Sequence, residues 1–487
     1  MIRKPGLFIA LIPIIILIGL LSLNVFLFDD VLDGPNQIAL LLAASVGVGI
    51  AHWLGYKWKA INHRIMKTIE SAMTSMLILL LIGALAGTWM LSGVVPVMVY
   101  YGLEIINPKI FLITAVIVCS IVSVVTGSSW STIATIGVAL LGIGKALGFS
   151  DPIIAGAIIS GAYFGDKMSP LSDTTNLASA MAGTDLFTHI RYMTHTTVPS
   201  MALTLIIFLV IGFFYNYQAQ AIDVIAVKET IDATFNTSLL LFLVPVALFT
   251  VIILKMPPLQ SLMIGTLLGG IAAIIFQPNV IRMITLPEYS YAKASYMAVM
   301  QSMFGEVSLH TSETSVNELL STTGMKGMLN TVWLILTAMV FGGVMEAGGL
   351  LERITRPIVE RAKSTGSLVA ATVVTCIFFN TTASDQYLAI VVPGRMFKGS
   401  FEKKGLKPEV LSRTLEDSGT MTSVLIPWNT CGAAQAKVLG VSTFSYLPYA
   451  FFNIISPLMT ILFAYLNIKI RRISPVEKVE TVMAKLP

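Results

Sequence analysis

The chain has 487 residues, of which 55% are hydrophobic and only 12% are charged, with a formal net charge of +5. A soluble protein carries about twice that share of charged residues, so the composition excludes both a water-exposed globular chain and a disordered one. It predicts an all-α polytopic membrane protein in contact with membrane lipid. No run of Lys and Arg indicates a nucleic-acid partner.

The predicted elements begin at the N-terminus, where Arg3 and Lys4 precede an apolar run. That run is too long for the hydrophobic part of a signal peptide and lacks a small-residue cleavage site, so we interpret it as the first membrane span. Further apolar runs also approach the 20 residues that a helix needs to cross the hydrocarbon core. The predicted spans are residues 6–28, 36–55, 70–92, 151–177, 194–217, 236–255, 258–276, 329–350, 411–433 and 445–468.

Two more apolar stretches, 109–147 and 367–397, fold back around a polar centre. Each is either a re-entrant hairpin or a pair of full spans, and both alternatives give the same topology. With either alternative, the main clusters of Lys and Arg fall on the same side of the membrane. They are the residues from Lys57 to Lys67, 352–366 and 395–413. Because cytoplasmic loops carry the excess of basic residues, we predict a multi-pass protein of the cytoplasmic membrane with both termini in the cytoplasm.

The two halves of the chain show the same order of spans, and the second half enters the membrane with the opposite orientation. This arrangement predicts two inverted-topology repeats, each with a re-entrant hairpin and a broken helix, which is a common plan of secondary transporters. The first repeat is 1–217, with its hairpin at 109–147 and its broken helix at 151–177. An outer linker, 218–235, leads to the second repeat, 236–487, with its hairpin at 367–397 and its broken helix at 411–433.

The most polar intramembrane segment is 165–176, where Pro170 removes a backbone donor and disfavours helix at the preceding residue. The freed carbonyl groups, hydroxyl groups and two carboxylates form a set of hard oxygen atoms, which suits a small cation such as Na⁺. A short aqueous loop is the alternative. We predict Na⁺ at Asp166 and Asp173, and the residues expected to bind a cation or a proton here are Asp166, Ser169, Asp173, Thr174 and Asn176.

Polar groups elsewhere in the apolar stretches complete the candidate site. The tip of the first hairpin places Thr126, Ser128 and Ser129 around a glycine that allows close backbone approach. Lys167 must pair with a carboxylate or lose its proton if it is buried. A second-half site is predicted at Asp385, Asp417, Asn429 and Thr430. The alternative for Asp417 is a position at the cytoplasmic mouth of the transport path, and the sequence leaves both possibilities open.

The segment 161–176, GAYFGDKMSPLSDTTN, resembles the signature of the NhaC-type Na⁺/H⁺ antiporters, and the segments 125–130, 385–397 and 415–430 are similar as well. The resemblance implies a fold of the ion-transporter superfamily, in which a transport domain moves against a scaffold, and a homodimer is one arrangement that it implies. Carried over by position, it assigns Asp166, Asp173, Thr174 and Asn176 to the first broken helix. It assigns Thr126, Ser128 and Ser129 to the first hairpin tip, and Asp385, Asn429 and Thr430 to the second half.

The expected function is secondary active antiport of Na⁺ against H⁺ by alternating access, with Na⁺ and H⁺ as transported ions and no cofactor. The sequence offers no nucleophile–base constellation and no phosphate-binding glycine loop, so we do not expect an enzyme. The alternative is a Na⁺-coupled carrier or exchanger of a small organic acid or amino acid, of the malate/lactate type. Arg395 and the neutral second-half site would then hold the organic anion.

Overall fold

The computed structural model describes residues 3–28, 33–105, 107–215, 224–308 and 321–473. Within these ranges the chain is helical apart from turns, a two-stranded antiparallel ribbon of Val307–Ser308 with Ser321–Thr322, and one isolated bridge. Nine of the described helices are long and apolar enough to cross a membrane. The predicted all-α membrane fold is therefore confirmed.

The helices of the first half follow the predicted order. The α-helices are Leu7–Leu27, Pro35–Trp53, Trp58–Leu91, Val94–Ile105, Phe111–Thr126, Ser129–Thr132, Val138–Ala146, Asp151–Met168, Asp173–Ala182 and Leu186–Phe214. Those of the second half are Val224–Thr234, Leu243–Ile253, Pro258–Phe276, Pro278–Met283, Tyr291–Phe304, Gly324–Ala347, Leu350–Arg361, Thr365–Thr382, Gln386–Lys403, Pro408–Leu415, Met421–Ser423, Thr430–Leu439, Thr443–Tyr446 and Phe451–Tyr465.

Two boundaries in the first half differ from the prediction. The third helix begins at Trp58 instead of residue 70, so the basic residues between 57 and 67 lie mostly on a helix and not in a loop. Residues 58–69 contain no Gly or Pro to stop the helix, and Ile61 and Ile65 are buried along it. The apolar helix Val94–Ile105 was not predicted, because its 12 residues are too few for a span.

Each predicted hairpin is a pair of helices joined by a tight turn. The first hairpin (108–146) has arms Pro108–Thr126 and Ser129–Ala146, and both arms have the length and apolarity of a full span. The second hairpin (365–403) has arms Thr365–Thr382 and Gln386–Lys403. Of the two arms of the second hairpin, which are both described, only Thr365–Thr382 has the length and apolarity of a full span.

Both predicted broken helices are interrupted at a proline. The first broken helix (151–182) loses its helical conformation at 169–172, around Pro170, and resumes until Ala182, beyond the predicted limit of 177. The second broken helix (408–439) is interrupted at 424–429, around Pro427. It passes through a π-helical stretch, Glu416–Thr420, before the break.

Glycines bring the first hairpin and the first broken helix into close contact. A Cβ atom on Gly165 would lie 2.4 Å from the carbonyl oxygen of Ser120, and one on Gly161 would lie 2.3 Å from that of Val116. Small residues allow helix backbones in membrane proteins to approach each other in this way. The packing places the hairpin tip beside the C-terminal end of the helix Asp151–Met168.

One end of the molecule, which we call the basic end, gathers the described beginning and end of the chain and the predicted basic loops. The amide of Arg3 donates to the carbonyl of Leu54 at 2.9 Å, and the amide of Lys407 donates to that of Arg471 at 3.1 Å. Arg413, the last residue of one predicted cluster, is fully buried in the helix Pro408–Leu415, with its guanidinium 4.5 Å from the ring centroid of Tyr192.

Two parts of the predicted organisation stay predictions. The halves contain similar elements, but neither their inverted relation nor the domain limits 1–217 and 236–487 are tested by the fold. Of the predicted linker, residues 218–223 lie outside the described residues, and Val224–Thr234 is helical.

Candidate ion-binding site

The centre of the candidate site is the carboxylate of Asp166, which is only 7% exposed. Its Oδ2 atom accepts hydrogen bonds from the Ser129 amide at 3.2 Å and from the Ser129 hydroxyl at 2.7 Å. Ser129 is the first residue of the second hairpin arm, and a helix N-terminus favours a negative charge. The sequence prediction that joins Asp166 to the hairpin tip therefore agrees with the geometry.

The hairpin tip is shaped by its own residues. Gly127 ends the first arm in the left-handed conformation, with φ of +68°, which a glycine adopts without strain. The Ser128 side chain then caps the second arm by accepting a hydrogen bond from the Ser131 amide at 3.2 Å. The Thr126 hydroxyl lies 3.3 Å from that of Thr132 and closes the turn.

A cavity of about 260 Å³ lies between the hairpin tip and the break of the first broken helix. Apolar residues and Lys255 form part of its lining, and five of the predicted site residues contribute oxygen-bearing side chains. They are Thr126, Ser128, Asp166, Asp173 and Thr174.

The other two predicted residues of the first broken helix shape the break and do not line this cavity. The Asn176 side-chain amide donates to the carbonyl of Pro170 at 3.0 Å and to that of Ser172 at 2.7 Å. The buried Ser169 hydroxyl accepts a hydrogen bond from the Leu171 amide at 3.2 Å. Both side chains satisfy backbone groups that the broken helix leaves without partners.

The two carboxylates of this cavity differ in exposure. Asp173 stands at the start of the second helical segment and is exposed, whereas Asp166 is buried. An acidic residue in the first turn also stabilises a helix, so the position of Asp173 has a structural explanation of its own. Asp166 is therefore the stronger candidate for the ion-binding carboxylate.

All four predicted second-half residues fall outside the cavity. Asp385 is buried and caps the helix Gln386–Lys403, accepting a hydrogen bond from the Leu388 amide at 2.9 Å. Asn429 caps the helix Thr430–Leu439, and the Thr430 amide donates to the carbonyl of Ser384 at 2.9 Å. The second hairpin reaches the cavity through Gln386 and Tyr387, which follow Asp385 directly.

Asp417 is fully buried, so the alternative that places it at the inner mouth is wrong. It forms an ion pair with Lys167, which is also fully buried. The Thr196 hydroxyl donates to Asp417 at 2.9 Å, and the Ser456 hydroxyl donates to it at 3.2 Å. The predicted need of Lys167 for a carboxylate is met from the other half of the chain.

The sequence prediction did not include Glu416 among the site residues. This carboxylate is fully buried, and its Oε1 atom accepts a hydrogen bond from the Thr174 hydroxyl at 3.0 Å. Its Oε2 atom has no partner among the described residues. An acidic residue within an apolar stretch is the signal that points to Glu416, whereas Thr196 and Ser456 have none, because single hydroxyl residues are common in membrane helices.

The alternative role of Arg395 does not agree with its position. Its side chain is exposed on the helix Gln386–Lys403, and it lines none of the three described cavities. Among the described residues there is also no group of three or more His, Cys, Asp or Glu side chains that suits a bound metal ion. The oxygen-bearing side chains around Asp166 are hard ligands of the kind that suits a small cation.

Known proteins with similar sequences are membrane antiporters. The chain is 38% identical over 436 residues to the Na⁺/H⁺ antiporter NhaC of Alkalihalophilus pseudofirmus, covering 89% of this chain and 90% of that protein. It is 36% identical over 465 residues to the malate-2H⁺/Na⁺-lactate antiporter of Bacillus subtilis, covering 95% of both chains. It is 33% identical over 482 residues to the arginine/ornithine antiporter ArcD of Halobacterium salinarum, covering 98% of this chain and 96% of that protein.

The model of the Na⁺/H⁺ antiporter family matches residues 161–468. The match contains the second hairpin, the second broken helix and the part of the first broken helix from Gly161 onward, which includes Asp166 and the break at 169–172. The resemblance of the segment 161–176 to this family is thereby confirmed, and the chain belongs to the Na⁺/H⁺ antiporter family.

Proposed function

We propose that this protein exchanges Na⁺ for H⁺ across the cytoplasmic membrane by alternating access. The observation that carries the proposal is the buried carboxylate of Asp166, which accepts two hydrogen bonds from Ser129 and lines a cavity together with four other oxygen-bearing side chains of the predicted site. An ionisable group within the membrane is costly, and it is functional by default.

The proposed mechanism is competition between Na⁺ and H⁺ for this carboxylate. Desolvation makes the isolated charge of Asp166 unfavourable, so that the transport domain crosses with its carboxylate neutralised. Either Na⁺ or H⁺ neutralises it, and the two exclude each other. Asp173 and the hydroxyl groups of Thr126, Ser128 and Thr174 supply further oxygen atoms for the cation, in the hard-ligand chemistry that suits it.

The direct test is transport by the purified protein in proteoliposomes that contain a pH-sensitive dye. An outwardly directed Na⁺ gradient should acidify the interior, and the response should reverse when the gradient is reversed. An imposed voltage will change the rate if the exchange moves net charge. Absence of Na⁺-driven proton movement, with protein inserted and folded, would reject the proposal.

A second candidate function is Na⁺-coupled exchange of a small organic acid or amino acid. Similarity to a malate-2H⁺/Na⁺-lactate antiporter and to an arginine/ornithine antiporter supports it. The same proteoliposomes separate the two candidates when malate, lactate, arginine or ornithine is added. A metabolite that is required for Na⁺ flux indicates the carrier, whereas flux without any metabolite indicates the ion exchanger.

The membrane orientation belongs to the same proposal. The basic end contains Arg3, Arg64 and Arg471, and an excess of basic residues marks the cytoplasmic side. We therefore place both termini in the cytoplasm. The inverted repeats and the homodimer stay expectations that derive from the predicted topology and from the resemblance to the family.

A further inference from the structure

We propose that Lys167 and Asp417 form a positioning pair, which joins the two broken helices into one moving unit and fixes the direction of Asp166, without itself carrying the transported ions. This inference rests on the proposed Na⁺/H⁺ exchange. The two residues are 250 positions apart in the sequence, and both side chains are fully buried.

The lysine side of the pair is held by the second broken helix and by the helix Phe451–Tyr465. The Lys167 ammonium donates to Asp417 and also to the Ser456 hydroxyl at 2.9 Å. It lies 5.7 Å from the ring centroid of Phe452, one turn before Ser456 on the helix Phe451–Tyr465. The ammonium group is therefore fixed by side chains from two segments.

The carboxylate side is equally well satisfied. The Oδ1 atom of Asp417 accepts from Lys167 and from the Ser456 hydroxyl, while Oδ2 accepts from the Thr196 hydroxyl at 2.9 Å. A buried ion pair compensates its desolvation only when further hydrogen bonds satisfy its remaining atoms. This pair meets that condition and ties together four segments of the chain.

The pair lies apart from the cavity of the candidate site. Neither Lys167 nor Asp417 lines any of the three described cavities, whereas Asp166 lines the one at the hairpin tip. Consecutive residues of an α-helix point about 100° apart. Anchoring Lys167 therefore sets the rotation of the last helical turn, and this rotation directs Asp166 towards Ser129.

The π-helical stretch Glu416–Thr420 explains how the second broken helix makes two contacts with the first. Glu416 contacts Thr174 in the segment after the break, and Asp417 contacts Lys167 in the segment before it. A π-helical turn inserts an extra residue and changes side-chain directions locally. Adjacent residues thus hold both sides of the break, so the two broken helices move together.

The test compares single and double neutral variants of the pair in the same proteoliposomes. Lys167→Met and Asp417→Asn each leave one buried charge without a partner, so each should raise the apparent KM for Na⁺ and lower the flux by at least about ten-fold. The double variant removes both charges. Its flux at saturating Na⁺ should return to within about three-fold of the natural protein, because no unpaired charge stays buried, but its KM for Na⁺ should stay raised, because Lys167 no longer anchors the turn that carries Asp166.

The matched control is the pair of Lys145 and Asp151, which joins the same two residue types at 2.9 Å but is partly exposed. Lys145→Met and Asp151→Asn should each change flux less than about two-fold, because exposed ion pairs contribute little. Thermal unfolding in detergent is measured for every variant, so that a single variant that fails to fold is identified and the double variant still decides.

Two results would overturn the inference. If the double variant folds and inserts but stays as inactive as the single variants, the pair carries transported charge itself. If the single variants lose thermal stability while their KM for Na⁺ is unchanged, the pair has only a structural role. Both results leave Na⁺-driven flux in the natural protein intact, whereas failure of the proposed function abolishes that flux.

Discussion

Replacing Asp166 with Asn is the perturbation that tests the candidate site most directly. The two side chains have nearly the same shape, and the amide oxygen of Asn can still accept the hydrogen bonds that Ser129 donates. The substitution therefore removes one negative charge with little change in packing. We expect the variant to fold and insert normally and to lose Na⁺-driven exchange.

The burial of Asp166 sets the magnitude. Two unit charges 4 Å apart interact by about 4 kcal/mol at the effective dielectric constant of a protein site, near 20. A difference of 1.4 kcal/mol changes a binding constant about ten-fold, so Asp166→Asn should weaken Na⁺ binding about a thousand-fold. For the exposed Asp173 the dielectric constant approaches that of water, and Asp173→Asn should cost only about 1 kcal/mol, less than about ten-fold.

The assay is the apparent KM for Na⁺ in proteoliposomes, with Asp151→Asn as the control. Asp151 begins the helix that carries Asp166, but it lies at the opposite end and pairs with Lys145. Its substitution should leave the KM unchanged. If Asp173→Asn abolishes exchange while Asp166→Asn keeps a nearly natural KM, the ranking of the two carboxylates by burial is refuted.

Three further predictions concern the hairpin tip, the second broken helix and a helix cap. Gly127→Ala forces an alanine to φ of +68° and places its Cβ atom 2.6 Å from the Cβ atom of Leu171, so thermal stability and flux should both fall. Gly440→Ala is the control, because Gly440 has φ of +65° but no atom within 4 Å of the added Cβ, so it carries the conformational cost alone. Equal losses in both glycine variants would contradict the role of the tip. Glu416→Gln should raise the thermal midpoint, because it removes the negative charge of a fully buried carboxylate, and should lower Na⁺ flux; a lower midpoint would show that the charge is compensated. Hydrogen bonding from the Thr188 amide lowers the pKa of Asp185, so its stabilising contribution is present above its unfolded pKa of about 3.9 and is lost as the pH falls through the folded value. Asp185→Ala should therefore lower the thermal midpoint at pH 7, and the difference should vanish in acid; a difference that is independent of pH would contradict the cap.

The sequence by itself determined the class of the protein and the places where its helices break. Pro170 and Gly127 act through their own backbones, because proline lacks an amide donor and glycine tolerates positive φ, so a local pattern suffices to predict an interruption or a turn. The length of the apolar runs predicted most spans, because it too is a local property of the sequence. The third helix extended further towards the N-terminus than predicted, because a basic helical segment outside the apolar run carries no hydropathy signal.

Only the tertiary structure decided which polar groups face each other. The sequence required a carboxylate for a buried Lys167 but did not identify it, and the partner is Asp417 from the other half of the chain. It likewise counted Arg413 in a basic loop cluster without indicating that packing buries its side chain against Tyr192. Burial and pairing depend on contacts between segments that are hundreds of residues apart, and no local pattern of residue types encodes those contacts. The family signature pointed to the region of the candidate site, and the fold distinguished its buried carboxylate from the residues that shape the surrounding helices.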